Sequence, residues 1–280
     1  MQKHGRTLFQ VFKYSVYVLL AVNIGLFGVE EYTAAKLQFP DGIAPGELIE
    51  AFASTIDTAA WVLLLLLFEI ETYVLEDEQF TKPVTLSLHV TRVLCYTVIV
   101  YAFYGYAANL VFTHGVTALP DVASLCTLAA DGWSYAVDLD EYVAITSANC
   151  ASLSEQSSFV RFDTMPAAVD VPGLVDIQRL AWVDVINSGV WLLVVLLLEI
   201  DIRLQEHNRY EGVAFAASMG MKGLLYSTLF LAAVYWGIKG DFVDFWDAFL
   251  WLVAFAFIEM NLFEWHQDER KERLGKNATS

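Results

Sequence analysis

WVLLLLLFEIE, residues 61–71, is one of three stretches that share a pattern: Trp, an apolar run, Glu eight residues later, then an apolar and a polar residue. The other two are WLLVVLLLEID at residues 191–201 and WLVAFAFIEMN at residues 251–261. Each run is apolar on all sides, which is typical of a helix surrounded by lipid and other helices. The repetition indicates three copies of one membrane unit.

The composition agrees with a membrane protein. Hydrophobic residues make up 57% of the chain and the mean hydropathy is +0.49. A helix needs about 20 apolar residues to cross a bilayer. Six segments meet this length and predict an all-α integral membrane protein with helices near residues 11–31, 56–75, 88–112, 181–203, 216–237 and 243–265.

The odd-numbered predicted helices carry a repeat of their own, a cation four residues before a Tyr: Lys13 and Tyr17, Arg92 and Tyr96, Lys222 and Tyr226. We therefore predict three two-helix hairpins in a single membrane domain of residues 1–280. The predicted bounds are 10–75, 84–203 with a loop insertion at 113–178, and 216–265, followed by a tail at 266–280. Hairpins that share one orientation predict a bundle with pseudo-threefold symmetry about the membrane normal.

The basic residues predict the orientation. Twelve of the 16 Lys and Arg residues fall on the side of the termini, and the exceptions are Lys36, Arg161, Arg179 and Lys239. Basic residues concentrate on the cytoplasmic side of membrane proteins. We therefore expect both termini in the cytoplasm and the chain in a bacterial inner membrane.

The long loop at 113–178 lies on the opposite side in this topology. It is strongly acidic, and the chain has a net charge of −17. Such a surface repels nucleic acid and attracts cations, although the simpler explanation, an acidic solvated face of a salt-tolerant protein, is the preferred one. Cys126 and Cys150 both fall in this loop and predict a disulfide. Residues 137–145 fit a short strand or a short helix, and the loop is expected to cap the outer mouth of the bundle.

Glu69, Glu199 and Glu259 are the carboxylates placed deepest in the predicted helices. Each follows an outer Asp or Asn by 12 residues, roughly 18 Å along a helix. A charge at that depth needs a partner or water. We expect the counter-charges to be Lys13, Arg92 and Lys222. One interpretation is that these pairs lock the helices together; the other is that the three carboxylates form a ring that binds or gates cations.

The remaining repeated polar residues have simpler explanations. Glu71, Asp201 and Asn261 lie two positions past the glutamates and are expected to face away, toward the cytoplasmic headgroups. The set Asp57, Asn187 and Asp247 near the outer helix ends would cap the helices or form an acidic vestibule that binds an ion or substrate. Trp61, Trp191 and Trp251 would anchor the helices at the interface.

The leading hypothesis is a transport protein or channel for cations or a small cationic solute. The alternative is a structural or accessory subunit of a larger membrane complex, with other membrane subunits or further copies of itself as partners beside the lipid bilayer. The sequence holds no metal-ligand spacing, cofactor motif or catalytic constellation, so we expect no metal, no cofactor and no enzymatic activity. A membrane enzyme acting on lipid is a weaker third hypothesis.

Overall fold

The computed structural model describes residues 2–71, 75, 77–120, 122–154, 158–206 and 212–257. It is mostly helical. The helices are α1 Gln2–Gln38, α2 Leu48–Ala51, α3 Ala53–Glu69, α4 Lys82–Phe112, α5 Val171–Glu206, α6 Val213–Lys239 and α7, which begins at residue 242 and reaches residue 257. The chain forms two compact units, one made of Met1–Val22 and Tyr226–Ser280 and the other of Asn23–Leu225.

Four of the helices are long and apolar enough to cross a membrane. These segments are Phe9–Gln38, Lys82–Phe112, Val171–Leu204 and Val213–Lys239. The protein is therefore suited to membrane association. Six crossings and a threefold repeat remain predictions, because α3 has 17 residues and α7 is described only as far as residue 257.

The helix starts follow from local sequence. α4 begins after Thr81 with a Pro in its first turn, where the missing N–H costs nothing. α5 begins at Val171, before the predicted start at residue 181, because the Asp170 carboxylate accepts a hydrogen bond from the Gly173 amide at 2.7 Å and so caps the helix. Pro172 sits in that first turn.

The prediction of an all-α protein is wrong for the segment between α4 and α5. Residues 113–170, which we call the sheet domain, hold five short strands: β1 Val116–Ala118, β2 Ser134–Ala136, β3 Tyr142–Ala144, β4 Phe159–Phe162 and β5 Ala167–Asp170. Their order in the sheet is β1-β4-β5-β2-β3, and β2 with β5 is the parallel pair. Residues 137–145 thus contain a turn and a strand, which decides the alternative left open by the sequence.

The sheet domain is covered on both faces. One face packs Phe162, Val169 and Ala136 against Leu174 and Ile177 of α5, with Phe112 of α4 and Leu37 of α1 alongside. The other face packs Phe159 and Ala168 against Leu125, Ile145 and Cys150. The central strand β5 is buried throughout, because its small residues allow layers on both sides to approach.

Close helix approach occurs where side chains are smallest. A Cβ on Gly105 of α4 would lie 2.6 Å from the carbonyl oxygen of Ile49 and 3.1 Å from the Cβ of Ala53. α4 therefore meets α2 and the start of α3 at backbone distance, the packing that small residues permit in membrane helices.

Candidate functional site

Two of the three repeated cations, Arg92 and Lys222, pair with the second carboxylate of the pattern and not with the glutamate. Arg92 of α4 forms an ion pair with Glu71, two residues after the end of α3. Lys222 of α6 lies 3.2 Å from Asp201 of α5, measured from Nζ to Oδ2. Our prediction that these cations pair with Glu69 and Glu199 is wrong. Asp201 faces away from the exposed Glu199, as predicted, but its carboxylate is buried against α6 and does not extend to the cytoplasmic headgroups.

The pair in α5 and α6 is the more buried one. The Lys222 side chain is 13% exposed and that of Asp201 is 4% exposed. The Ser218 hydroxyl donates a second hydrogen bond to the Asp201 carboxylate at 2.6 Å. Ser218 precedes Lys222 by one helical turn, so both donors reach the carboxylate from one face of α6.

Glu199 and Glu69 have different surroundings although they occupy equivalent positions. Glu199 pairs with Arg203 of its own helix at 2.9 Å, and these side chains are 53% and 72% exposed. Glu69 is buried. Two carboxylates of one ring would share one environment, so these positions do not fit the expected ring of equivalent glutamates.

The third copy is only partly described. Lys13 is buried, with its Nζ 5.0 Å from the Tyr14 ring centroid and 5.9 Å from that of Tyr17. Phe257 of α7 has its ring in edge contact with Phe9 and Phe12 of α1, at 5.2 and 5.5 Å between centroids. The N-terminal half of α1 therefore packs beside α7. Glu259, which we predicted as the third ion-binding carboxylate, lies outside the described residues, as does Asn261.

The repeated tryptophans are buried, which contradicts interfacial anchoring. Trp61, Trp191 and Trp251 are all more than nine-tenths buried. The rings of Trp61 and Trp191 are in contact, with centroids 6.2 Å apart. α3 and α5 therefore meet through equivalent side chains.

The outer polar set does not cap its helices. Asp57, Asn187 and Asp247 lie inside α3, α5 and α7, beyond the first four residues of each helix. Asp57 is buried, and the Tyr106 hydroxyl donates to its Oδ2 at 3.4 Å. The Oδ1 atom of Asn187 is also buried, and within the described part of the chain it has no hydrogen-bond partner. These residues therefore place polar groups within the helices and do not cap the helix ends.

Glu31 is a functional candidate that the sequence analysis missed. It is buried near the outer end of α1 and contacts the N-terminus of α3. Its carboxylate accepts hydrogen bonds from the Ser54 amide at 2.7 Å, the Thr55 amide at 3.0 Å and the Thr55 hydroxyl at 2.6 Å. Glu31 has no counterpart in the repeat, so only the structure reveals it.

The sheet domain is joined to the helices by polar contacts. The Gln178 side chain of α5 donates to the Thr113 carbonyl at 3.1 Å, and Gln38 of α1 donates to the Tyr142 hydroxyl at 3.2 Å. The Tyr135 hydroxyl donates to Asp170 at 2.6 Å. Burial, reinforced by Asp170, raises the pKa of Tyr135 above its usual range, so Tyr135 stays a donor at any physiological pH.

The predicted disulfide between Cys126 and Cys150 is confirmed, with 4.9 Å between the Cα atoms. It joins the short 3₁₀ segment Leu125–Thr127 to the turn that precedes the 3₁₀ segment Ser152–Ser154. The Ser154 hydroxyl accepts a hydrogen bond from the Leu125 amide at 2.8 Å at the same junction. Within the described residues, no group of three or more His, Cys, Asp or Glu side chains could hold a metal ion.

No protein-family model, no curated protein and no solved structure matches this chain.

Proposed function

We propose that this protein is a structural or accessory subunit of a membrane complex, with the sheet domain as its docking module on the extracytoplasmic side. In this proposal the repeated charges lock neighbouring helices together. The observation that carries it is that two of the three repeated cations, Arg92 and Lys222, each form an ion pair with a carboxylate from the preceding helical segment.

The same pairs support six membrane crossings built from repeated units. The two helices that make up each unit differ from those that we first expected. The carboxylates of the two pairs are at positions 71 and 201, and the cations are at positions 92 and 222. The second pair therefore follows the first by the same number of residues at both positions. The offset also relates Trp61 to Trp191 and Tyr96 to Tyr226. The repeated unit is then α3 with α4, and again α5 with α6, two helices joined on the cytoplasmic side.

The third unit in this scheme is α7 with α1, drawn from the two ends of the chain. The ring contacts of Phe257 with Phe9 and Phe12 support it, because they bring the cytoplasmic halves of α7 and α1 together. Lys13 occupies the position of Arg92 and Lys222, and its burial requires compensation of its charge.

The sheet domain supports the docking role. It has a hydrophobic cluster on each face, a disulfide and polar links to α1, α4 and α5. Such a domain holds its surface in a fixed orientation to the helices. Its acidic residues favour a partner with a basic surface.

Purification in a mild detergent tests this proposal. The wild type should elute with other subunits, and the same preparation of a variant with Asp138, Asp140 and Glu141 changed to Lys should lose them while keeping its own melting temperature. Wild type that elutes alone, and is stable alone, would contradict an accessory role.

The second candidate is cation transport, and burial of both Asp57 and Glu69 on α3 favours it. A charge buried in a membrane helix is costly and marks ion pathways in transporters. Cation uptake into proteoliposomes should then fall in Glu69→Gln and Asp57→Asn but not in Glu199→Gln, whose side chain is exposed. Equal uptake in wild type and in liposomes without protein would remove this candidate.

A further inference from the structure

Two tyrosines of α4 are exposed halfway along a helix that is long and apolar enough to cross a membrane. Tyr101 is 47% exposed and Tyr104 is 61% exposed. Their rings stack on the surface of α4, with centroids 6.1 Å apart and planes inclined by 2°. Tyrosine in a membrane protein usually lies where the bilayer meets water, because its ring is apolar and its hydroxyl is polar.

The depth of the two tyrosines follows from the polar groups that bound the apolar part of α4. Arg92 forms the ion pair with Glu71 at one end, and Thr113 begins the sheet domain at the other. Thr113 follows Arg92 by 21 residues, roughly 31 Å of helix, which matches the hydrocarbon core of a bilayer. Tyr101 is nine residues from Arg92 and Tyr104 is nine residues from Thr113, so each lies roughly 14 Å from the nearer boundary. A Tyr side chain is too short to reach water over that distance.

The hydroxyls of these two tyrosines need a partner that the protein itself does not supply. Within the described part of the chain, neither Tyr101 nor Tyr104 donates or accepts a hydrogen bond through its hydroxyl. Lipid tails offer no acceptor, and a polar group without a partner in hydrocarbon costs free energy. A second molecule that approaches α4 inside the membrane must therefore satisfy them.

The face of α4 that carries Tyr104 has the spacing of a seam between two helices. Exposed side chains recur along it at alternating intervals of four and three residues, and we call this set the α4 stripe: Leu86, Val90, Val93, Thr97, Val100 and Tyr104. The same alternation places the a and d residues of a coiled coil on one seam. The Thr97 hydroxyl donates to the Val93 carbonyl of its own helix at 2.8 Å, so this small side chain leaves room for a close neighbour.

We propose that the α4 stripe binds the α4 stripe of a second copy of this chain, forming a parallel dimer within the membrane. Copies inserted in one orientation hold equivalent residues at equal depth, and a twofold axis along the membrane normal brings Tyr104 opposite Tyr104 of the second copy. A Tyr hydroxyl both donates and accepts, so two equivalent tyrosines satisfy each other. Tyr101 flanks the seam and faces Tyr96 of the second copy, a residue that is 39% exposed. This inference goes beyond the proposed function, because it requires no other subunit.

Cysteine crosslinking of the full-length protein in its native membranes tests the dimer. In a Cys95→Ser background, Val100→Cys should form a disulfide-linked dimer on mild oxidation, because the twofold axis passes beside this position. Phe230→Cys on α6 is the matched control. Phe230 is 59% exposed and Val100 is 57% exposed, and Phe230 follows Lys222 by eight residues just as Val100 follows Arg92. The control should stay monomeric.

A crosslink to a polypeptide of another size would overturn the second copy as the occupant and assign the α4 stripe to a different subunit. Val100→Cys that remains monomeric under conditions that oxidise it would overturn the dimer. Val93→Cys repeats the measurement one step along the α4 stripe, at a residue that is 62% exposed, and it decides the question if Val100→Cys does not fold.

Removal of the hydroxyls tests why the dimer forms. The double variant Tyr101→Phe/Tyr104→Phe keeps both rings and should weaken dimerisation by about tenfold, because single hydrogen bonds between membrane helices each change affinity only a few-fold. Energy transfer between labelled copies, measured at increasing lipid dilution, gives the dimer dissociation constant. Tyr32→Phe removes an equally exposed hydroxyl from α1, where Tyr32 is 54% exposed, and should leave that constant unchanged. An unchanged constant in the double variant would overturn the role of the hydroxyls.

Discussion

Trp61 of α3 and Trp191 of α5 occupy the same position in two copies of one sequence pattern, and their indole rings are in contact. Both rings are more than nine-tenths buried. They fill the space between α3 and α5 at this level, so these two helices are held together through equivalent side chains.

Removing either ring should destabilise the protein strongly. Trp61→Ala and Trp191→Ala are each expected to lower the free energy of unfolding by about 3–5 kcal/mol, because each leaves a cavity between helices. The double variant should lose less than the sum by about 0.5–1.5 kcal/mol, the energy of an aromatic pair. Denaturant unfolding in detergent measures these values. Trp182→Ala is the control, since Trp182 is exposed on α5; a similar loss there would show that any Trp removal is harmful.

The buried ion pair predicts unequal effects at neighbouring acids of α5. Asp201→Asn removes the partner of Lys222 and should cost about 3–5 kcal/mol, since a buried ammonium is left without its counter-charge. Glu199→Gln breaks only an exposed pair with Arg203 and should cost about 0–1 kcal/mol. Melting temperatures of both variants in one detergent are the measurement. A larger loss of stability in Glu199→Gln than in Asp201→Asn would contradict the role of Asp201 in holding α5 and α6 together.

Sequence reasoning found the helices and the repeated positions because both leave periodic signals. Long apolar runs predicted helical segments, and the recurring Trp located residues that are buried in the protein. It chose the wrong partner for Arg92 and Lys222 because a single helix does not show which of two carboxylates, two residues apart, turns toward the neighbouring helix. That choice depends on helix rotation, which is set by packing and leaves little trace in runs that are apolar on all sides.

The sheet domain and the contacts of Glu31 could not be predicted from the sequence, for a different reason. Strands of three or four residues give too few alternations to register as a pattern. Glu31 is a single acid in an apolar helix, and its role comes from amides at Ser54 and Thr55, which any residue would present. Tertiary contacts between backbone and a distant side chain have no sequence signature.

The disulfide between Cys126 and Cys150 should stabilise the protein more than the free thiol of Cys95 does. Replacing Cys126 and Cys150 by Ser opens a loop with a sequence separation of 24 residues and should cost about 3 kcal/mol. Thermal unfolding followed by near-ultraviolet circular dichroism would report it, and a reducing agent should lower the wild-type midpoint to that of the variant. Cys95→Ser, at the free and buried cysteine of α4, is the control. It keeps the disulfide, so a reducing agent should lower its midpoint by as much as it lowers that of the wild type.

Two glycines offer a matched test of helix packing. Gly105→Ala would bring a Cβ against the Ile49 carbonyl and should lower the free energy of unfolding by about 1–3 kcal/mol, because backbone cannot move aside as a side chain can. Gly220→Ala on α6 meets nothing within 4 Å and should be neutral or stabilising by up to about 1 kcal/mol. Both are measured by denaturant unfolding. Equal effects would mean that α4 does not approach α2 as closely as described.

Asp241, just before α7, predicts a pH-dependent stability. Its carboxylate accepts a hydrogen bond from the Asp244 amide at 3.2 Å, and burial raises its pKa above the ordinary value, with hydrogen bonding to Asp244 opposing the shift. A raised pKa means that the folded protein holds this proton more tightly than the unfolded chain does. Its contribution to stability is therefore complete below the unfolded pKa and is lost as pH rises through the folded pKa.

Asp241→Asn should remove that dependence. The amide oxygen still caps the Asp244 N–H, but no charge develops, so the variant should gain stability relative to wild type as pH rises from about 4 toward neutrality. Melting temperatures of both proteins across this range measure the difference, and Asp131→Asn, at an exposed position of the sheet domain, is the control. A gap between Asp241→Asn and wild type that stays constant with pH would mean that the Asp241 proton is not linked to folding.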